Sequence, residues 1–520
     1  MLRSTDPIDW QTFSIEDADL EFLSAYLLEH ETPLGPEALA QHLIVQRITN
    51  PRPQAKDGAE EKAYLPKYTY AVGDRVYFPA LKNIGGQVAA VRPADTIGNA
   101  SFDVVQVKME DGRTREFAAN LAEHVLNDPP KQEATGVDPF TEAKQHAKDI
   151  VPAMVEALQS SPEFVYIAGR WFPKALIVDV DPGQLNVAEA ILDMGGGGPL
   201  PTSQLLGEVE LPDGVNPKLA EFSLDLALQN DPRFDEVGST GEVAWFLRRL
   251  EPEAVQKLPL FLQYAPVGFD PSPLSEDMRD LVRSLDDELS FHDLLDDNAP
   301  EVVEVSLIFP HWRGGTLPLT PKMAKLFPSA IESPRVRFTF VDEKSGESFP
   351  GWVVRTERYI YGLLGWLQKR GLMPGTLIRL RRGDKPGEII VSSEAHRSSK
   401  EWVRTALVGA DGGVVYATLK QQVNGAFDER MMIYLPGDLA AVDAIWVKRA
   451  SQPANLESIV AQTLQELSKL SLQGNVHAAE IYSAVNLTLR CPPGRILAEL
   501  AGNPRYEHVG HLHFRMAEAE

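Results

Sequence analysis

The sequence predicts an α+β chain of several domains. Three observations carry this expectation: the length, a short pattern that recurs three times, and period-two hydrophobic runs bounded by turn residues. At 520 residues the length corresponds to roughly three to four domains. A hydrophobic content of 43% with 8% aromatics is ordinary for folded protein and supplies several cores.

Bulk charge and cysteine usage narrow the class. The net charge of −24 argues against a nucleic-acid coat over the whole surface, though not against one local basic face. Cys491 is the only cysteine, so no intrachain disulfide can form, and a reducing cytosol is the natural compartment. The opening "MLRSTDPIDW" has early acids and no apolar core, unlike a signal peptide. No apolar run approaches the ~18–20 residues needed to span a bilayer. The expectation is a cytoplasmic protein, bacterial in style, with no membrane partner.

The recurring pattern is centred on Pro162, Pro232 and Pro504. Four residues before each proline stands a leucine: Leu158, Leu228, Leu500. Ser161, Asp231 and Asn503 immediately precede the prolines. Two residues after comes an aromatic (Phe164, Phe234, Tyr506), and five after a β-branched residue (Ile167, Val237, Val509). A further aromatic follows: Trp171, Trp245, Phe514. A residue before proline is pushed out of the α region, so each small polar residue should end a helix. The leucine is then that helix's last core contact, and the first aromatic opens an extended segment that folds back.

The last copy is the clearest. "VHAAEIYSAVN" reads as a short helix, and "CPPGRILAEL" as a second with Pro493 in its first turn. "YEHVGHLHFRM" reads as a hairpin turning near Gly510, with Leu512, Phe514 and Met516 alternating inward. Two helices followed by a two-stranded wing form a winged helix. On Ala479-Glu480-Ile481, Ile496, Leu500, Asn503-Pro504-Arg505-Tyr506, Val509 and Phe514, residues 475–517 resemble the HARE-HTH winged-helix family. That family includes the N-terminal domain of the bacterial RNA polymerase delta subunit. A second, looser copy lies within 196–265. The first keeps its back half within 140–182, and its front half is sought in "DLEFLSAYLLEHETPLGPEALAQHLI" within 1–63, which would make the intervening segment an insertion.

That segment, 64–126, resembles a small SH3-like barrel of the KOW or Tudor sort. Val76 and Phe78, then Val104, Gln106 and Lys108, show period two, with glycines and "EDGR" at turns. Proline-rich charged stretches flank it as linkers. A spacer or protein-contact barrel and a nucleic-acid-contact barrel are both compatible with it.

Downstream, 272–298 reads as an acidic amphipathic helix. Ser272 would cap it, Pro273 would occupy its first turn, and Leu274, Met278, Leu281, Leu285 and Leu289 share one face. Residues 301–395 carry strand-like runs at Val305–Phe309, Val336–Val341, Gly351–Arg355 and Thr376–Arg381, with a short helix in "YGLLGWLQKRGL". On Tyr361, Gly365, Trp366, Leu372 and Gly375 this region resembles the DNA-binding pseudobarrel of plant transcription factors and some restriction enzymes, with Pro374-Gly375 where that family usually has Gly-Asp. A β-rich segment, 400–452, and a helix joined to the last winged helix, 454–520, complete the chain.

Within 351–404 eleven basic residues stand against five acidic ones, a local +6. Cations interleaved with aromatics suit phosphate contact. The resemblance and the charge together nominate His311, Trp312, Arg313, Arg355, Arg358, Tyr359, Lys369, Arg370, Arg381 and Arg382 as a nucleic-acid-binding set. Signals for chemistry are weak. "MGGGGPLP" lacks the Gly-Lys-Ser/Thr of a phosphate loop and reads as a flexible linker, and "FDVVQVKMEDG" lacks the acid a nuclease strand would carry two residues before Lys108. His508, His511 and His513 have no acid or thiol set to complete a metal site. The expectation is a non-enzymatic DNA-binding or transcription- or nucleoid-associated protein without a cofactor, contacting duplex DNA through 309–404. The alternative is a protein-interaction scaffold, for example one bound to RNA polymerase. A nuclease or other enzyme stands behind both.

Overall fold

The three recurring prolines end three helices. Helices Pro139–Ser160, Pro217–Asn230 and Pro493–Gly502 stop just before Ser161, Asp231 and Asn503, whose φ/ψ are −87/128, −98/121 and −99/121. These are the extended angles a following proline imposes. Strands then start at Phe164, Phe234 and Tyr506. Leu158, Leu228 and Leu500 are buried, as are the three leading aromatics and Trp171, Trp245 and Phe514.

The computed structural model describes residues 10, 13–49, 61–78, 81, 84–94, 102–109, 112–122, 124–127, 138–212, 214–290, 300–394, 400–409, 412–436, 439–452 and 455–518. The chain is mixed α/β and forms two units, Met1–Ile177 and Val178–Glu520.

In the first unit, α1 (Asp17–His30) and α2 (Pro36–Thr49) precede five strands: β1 (Glu61–Ala63), β2 (Arg75–Phe78), β3 (Ile84–Pro93), β4 (Asp103–Met109) and β5 (Thr114–Ala119). These pair in sequence order, β1 with β2 in parallel and the rest antiparallel. Val105, Val107 and Met109 face the core of this sheet; Val104, Gln106 and Lys108 take the opposite face. After α3 (Pro139–Ser160) come β6 (Phe164–Ile167) and β7 (Arg170–Pro173). Leu34, between α1 and α2, bridges Trp171, with Trp171 N–H donating to the Leu34 carbonyl at 2.8 Å. α2 packs on α3 and α1 on β7. The helices before the five strands and the hairpin after them therefore belong together.

The second unit repeats that layout twice. The first copy runs α4 (Pro182–Met194), β8 (Leu200–Pro201), α5 (Thr202–Leu206), α6 (Pro217–Asn230), β9 (Phe234–Glu236) and β10 (Ala244–Leu247), in sheet order β8-β10-β9. The recurring tryptophan, Trp245, stands opposite Leu200 as Trp171 stands opposite Leu34. Its Nε1 donates to Thr202 and Asp225 at 3.0 Å each. The glycine run is not a linker. Gly197 N–H donates to Leu192 O at 2.8 Å and its carbonyl accepts from Leu247 at 2.9 Å. Gly198 has φ +108, and a Cβ there would lie 2.5 Å from the Trp245 carbonyl. Close backbone approach, not flexibility, explains these glycines.

After α7 (Glu253–Gln256) comes α8 (Glu276–Leu285), shorter than the sequence pattern suggests. Ser275, not Ser272, caps it, and Asp286 ends it in the left-handed region. Residues 291–298 of the expected helix lie outside the described residues. A seven-stranded sheet follows: β11 (Val302–Ser306), β12 (Thr316–Pro318), β13 (Arg335–Asp342), β14 (Ser348–Val354), β15 (Tyr359–Tyr361), β16 (Leu377–Arg382) and β17 (Glu388–Ser392), in order β11-β16-β17-β13-β14-β15-β12. Helices α9 (Phe309–Gly314) and α10 (Pro321–Ala324) flank β12, and α11 (Leu364–Arg370) follows β15. The run expected as a strand to Phe309 turns into α9 there, because Pro310 suits a first helical turn.

Next come the hairpin β18 (Lys400–Val408) and β19 (Val414–Gln422), then α12 (Ala440–Ser451), a helix within the segment read as β-rich. The third copy is α13 (Leu456–Ser468), β20 (Val476–His477), α14 (Ala478–Val485), α15 (Pro493–Gly502), β21 (Tyr506–Gly510) and β22 (His513–Met516), in sheet order β20-β22-β21. Phe514 stands opposite Val476, the place Trp245 takes opposite Leu200. One feature of the pattern fails here. Ile167 and Val237 are buried, but Val509 is 38% exposed, because a register shift between His508 and Gly510 disrupts the alternation.

Tyr506 is 7% exposed and its hydroxyl reaches the Glu457 carbonyl at 3.3 Å. Tyr506→Ala should cost about 3–5 kcal/mol as a large-to-small core change, whereas Val509→Ala should cost under about 1 kcal/mol. Urea unfolding of the full chain, followed by the signal of its least stable transition, checks both.

Candidate functional site

The expected DNA face is built on β16 and its neighbours. Alternation sends Ile378 and Leu380 into the core and Arg379 and Arg381 outward. The outward arginines meet carboxylates. Arg379 Nε donates to Glu304 at 2.7 Å and its guanidinium also pairs with Glu394; Arg381 reaches Glu343 at 3.2 Å. Arg379, Arg381, Glu343 and Glu394 line a cleft of about 300 Å³ with Val302 and Ser392. Its walls alternate in sign, so it carries no net cationic field.

The ten nominated residues do not converge on one surface. His311 and Tyr359 are each 1% exposed and have no surface to offer a phosphate. His311 bonds Thr316 through Nδ1 at 2.9 Å and Glu288 through Nε2 at 3.1 Å. The Tyr359 hydroxyl donates to the Ala254 carbonyl at 2.6 Å, and burial raises its pKa. Trp312 Nε1 donates to the Leu372 carbonyl at 2.6 Å. Arg313 pairs with Asp443 at 2.8 Å and lies over the Phe261 ring. Arg355 donates to the Ser333 carbonyl at 2.6 Å. Arg358 sits in a left-handed turn, φ 54, and its carbonyl accepts from Leu319. Lys369 pairs with Glu347, and Arg382 donates to the carbonyls of Lys325 and Leu326.

Arg370 is the most constrained of the set. It stacks 5.0 Å from the Trp366 ring centroid and donates to Asp342 at 2.6 Å, while Trp366 Nε1 donates to the same carboxylate at 3.0 Å. Burial would raise the pKa of Asp342, but donors from Ser345, Trp366 and Arg370 outweigh it and hold the group well below the usual carboxylate range. The aromatic helix nominated on resemblance is thus fastened to the strand end at Asp342. Comparisons with protein-family models, with curated proteins and with solved structures return no match.

A denser ionic cluster lies in the interior, where sequence reading did not place one. The Arg490 side chain is 0% exposed, and its Nη2 lies 2.8 Å from both Asp287 and Glu288. Asp287 also accepts from the Tyr482 hydroxyl at 2.5 Å, and Glu288 from His311. Burial raises the Asp287 pKa against the pull of Arg490. For Glu288 burial works the same way, but Arg490 and His311 outweigh it and lower the pKa. The only sequence hint was an arginine beside a buried-type cysteine, Arg490-Cys491. Immediately after this cluster α15 begins, and α8 packs on it. A Cβ on Gly494 of α15 would lie 3.1 Å from the Phe269 ring. The segment around Phe269–Leu285 therefore covers α15.

A second buried group joins the 178–262 part to the sheet. Arg335 of β13 pairs with Asp235 of β9 at 2.5 Å, and Glu251 lies 3.6 Å from the same guanidinium. Neither oxygen of Glu251 accepts a hydrogen bond among the described residues, and its side-chain hydrogen bond with Asp235 requires a proton on one of the two carboxyls. Burial, then the neighbouring Asp235, pushes Glu251 up to about 8. Burial likewise pushes Glu236 up to about 7.

Two predictions follow from these clusters. Arg490→Met leaves buried Asp287 without a basic partner and Glu288 with His311 alone, and should cost about 3–5 kcal/mol, whereas Lys369→Met at an exposed pair should cost under about 1 kcal/mol; chemical unfolding measures both. Glu251 binds its proton more tightly in the folded state. Its contribution is therefore complete below the ordinary value near 4.5 and is lost as pH rises through about 8. Between those limits wild-type stability should fall relative to Glu251→Gln, read from melting temperatures of the two proteins across that range.

Proposed function

We propose that this chain is a non-catalytic interaction scaffold, assembled from three winged-helix modules, an SH3-like barrel inserted in the first, and a pseudobarrel-like sheet. The observation that carries the reading is the internal satisfaction of the nominated cations. Arg313, Lys369, Arg370 and Arg381 are held by carboxylates of their own chain, and Arg355 and Arg382 by its carbonyls. Duplex binding gains much of its affinity when free protein cations neutralise phosphates and release the condensed counterions to solvent. Here those cations already have partners, and the chain is −24 overall.

The winged-helix reading is supported by topology. In all three copies a short extended segment precedes the second helix and pairs with the last strand: Leu34 with Trp171, β8 with β10, β20 with β22. In the last copy the third helix, which would enter a groove, is α15, and α8 packs against it while Phe269 and Pro273 approach Gly494 and Gly502. Protein is the better-fitting partner, and RNA polymerase is the first candidate because of the resemblance of residues 475–517 to the delta-subunit family.

Titration of duplex DNA against the full chain at low salt should give no saturable binding, and purified bacterial RNA polymerase should co-elute with the chain in gel filtration. Duplex binding whose salt dependence falls by about 0.9 for each of Arg355, Lys369 and Arg381 changed to Gln would instead put DNA contact in front.

A further inference from the structure

One surface keeps free cations around an exposed aromatic. In the β18–β19 hairpin, Ala406 and Tyr416 lie opposite each other and enter the core, with the Tyr416 hydroxyl donating to the Ala484 carbonyl at 3.3 Å. Farther from the turn the same face leaves the protein. Trp402, 68% exposed, stands opposite Lys420; Lys400 stands opposite Gln422 and Arg404 opposite Thr418. Residues two apart on a strand share a face, so Lys400, Trp402 and Lys420 form one patch. Arg404 Nη1 donates to the Arg430 carbonyl at 3.0 Å, which sets exposed Arg430 beside that row.

Two of the nearby acids are occupied, while Glu429 is exposed next to Arg430 and Glu401 lies on the opposite face of β18. Glu480 pairs with Arg404 at 3.1 Å, and Asp428 accepts from the backbone N–H groups of Arg430 and Met431. Lys400, Lys420 and Arg430 make no ion pair among the described residues. The positive field extends inward: burial, then Arg430 and His513, push His477 down to about 4.

A large indole left in water beside lysines is unlike the centre of a protein–protein interface, where lysine is depleted. It matches the platform on which single-stranded bases stack while cations track the backbone. A duplex keeps its bases stacked inside and cannot use the ring in that way.

We propose that the Trp402 face of β18–β19 binds single-stranded nucleic acid, a base stacking on the indole and phosphates meeting Lys400, Lys420 and Arg430. The inference goes beyond the scaffold reading and does not depend on it. Anisotropy of a fluorescein-labelled oligothymidylate of about 20 nucleotides, titrated with the full chain over a salt series, tests it. Binding is expected at low salt. Trp402→Ala should weaken it about ten-fold or more, and Trp402→Phe should restore most of the loss. Lys400→Gln and Lys420→Gln should each lower the slope against log salt by about 0.7. Since Trp402 is 68% exposed, its replacement leaves the fold intact, and co-elution with RNA polymerase should be unchanged. Absence of binding by wild type at low salt, or equal binding by Trp402→Ala, overturns the proposal. Competition by poly-L-glutamate as strong as by unlabelled oligothymidylate also overturns it, since the face would then be reading acidic polypeptide.

Discussion

A guanidinium without solvent is the constraint on which much of the second unit depends. Arg490 is buried between Asp287 and Glu288, and through them it meets Tyr482 of α14 and His311 of α9. Each ion loses several kcal/mol of hydration on burial, so the cluster persists only where partners converge from every side. That requirement fixes three otherwise independent pieces relative to one another: the segment after α8, the edge of the seven-stranded sheet, and the lead into α15. Leu274 and Met278 then close over the same region as part of one continuous apolar core with Ile496, Leu497 and Leu500. The ions specify the arrangement and the apolar contacts supply its stability.

The fold was legible where a local rule acts alone. A residue before proline leaves the helical region whatever surrounds it, so Ser161, Asp231 and Asn503 could be read as helix ends directly. The buried leucine four residues before and the aromatic two residues after followed from the same geometry. Where tertiary contact decides, the reading failed. The glycines at 195–198 look like a linker by composition, yet Gly198 is there because the Trp245 carbonyl leaves no room for a side chain. Val509 satisfied the pattern by type but lies outward, because a bulge in the hairpin has no signature in side-chain order alone.

The site was less legible, for a reason specific to charge. Counting cations from 351 to 404 gives a local excess, but electrostatics acts through space and not along the chain. Most of the carboxylates that meet those cations come from outside that window: Glu304 and Glu343 for Arg379 and Arg381, Asp342 and Glu347 for Arg370 and Lys369, Glu480 for Arg404. Strand pairing brings Glu304 opposite Arg379 across β11 and β16, a neighbour no linear window contains. Trp402, Lys400 and Lys420 illustrate the converse: an unremarked lysine eighteen positions away becomes the nearest cation once the hairpin closes.

The three copies of one layout show how little topology alone decides. In each, the first helix lies on the last strand and a bulky aromatic faces the short strand across the sheet. They differ at the third helix. In the first copy the five-stranded sheet is spliced between the second and third helices. In the second, α6 turns Asp225 inward to hold Trp245, committing that helix to its own core. In the third, α15 presents Gly494 and Gly502 where Phe269 and Pro273 approach, small residues that admit a covering segment and no side chain of their own. In the second and third copies the third helix is thereby engaged within the chain. What each copy can recognise is then set by the surface its neighbours leave open, and on the last part of the chain that surface is the face of the hairpin bearing Trp402.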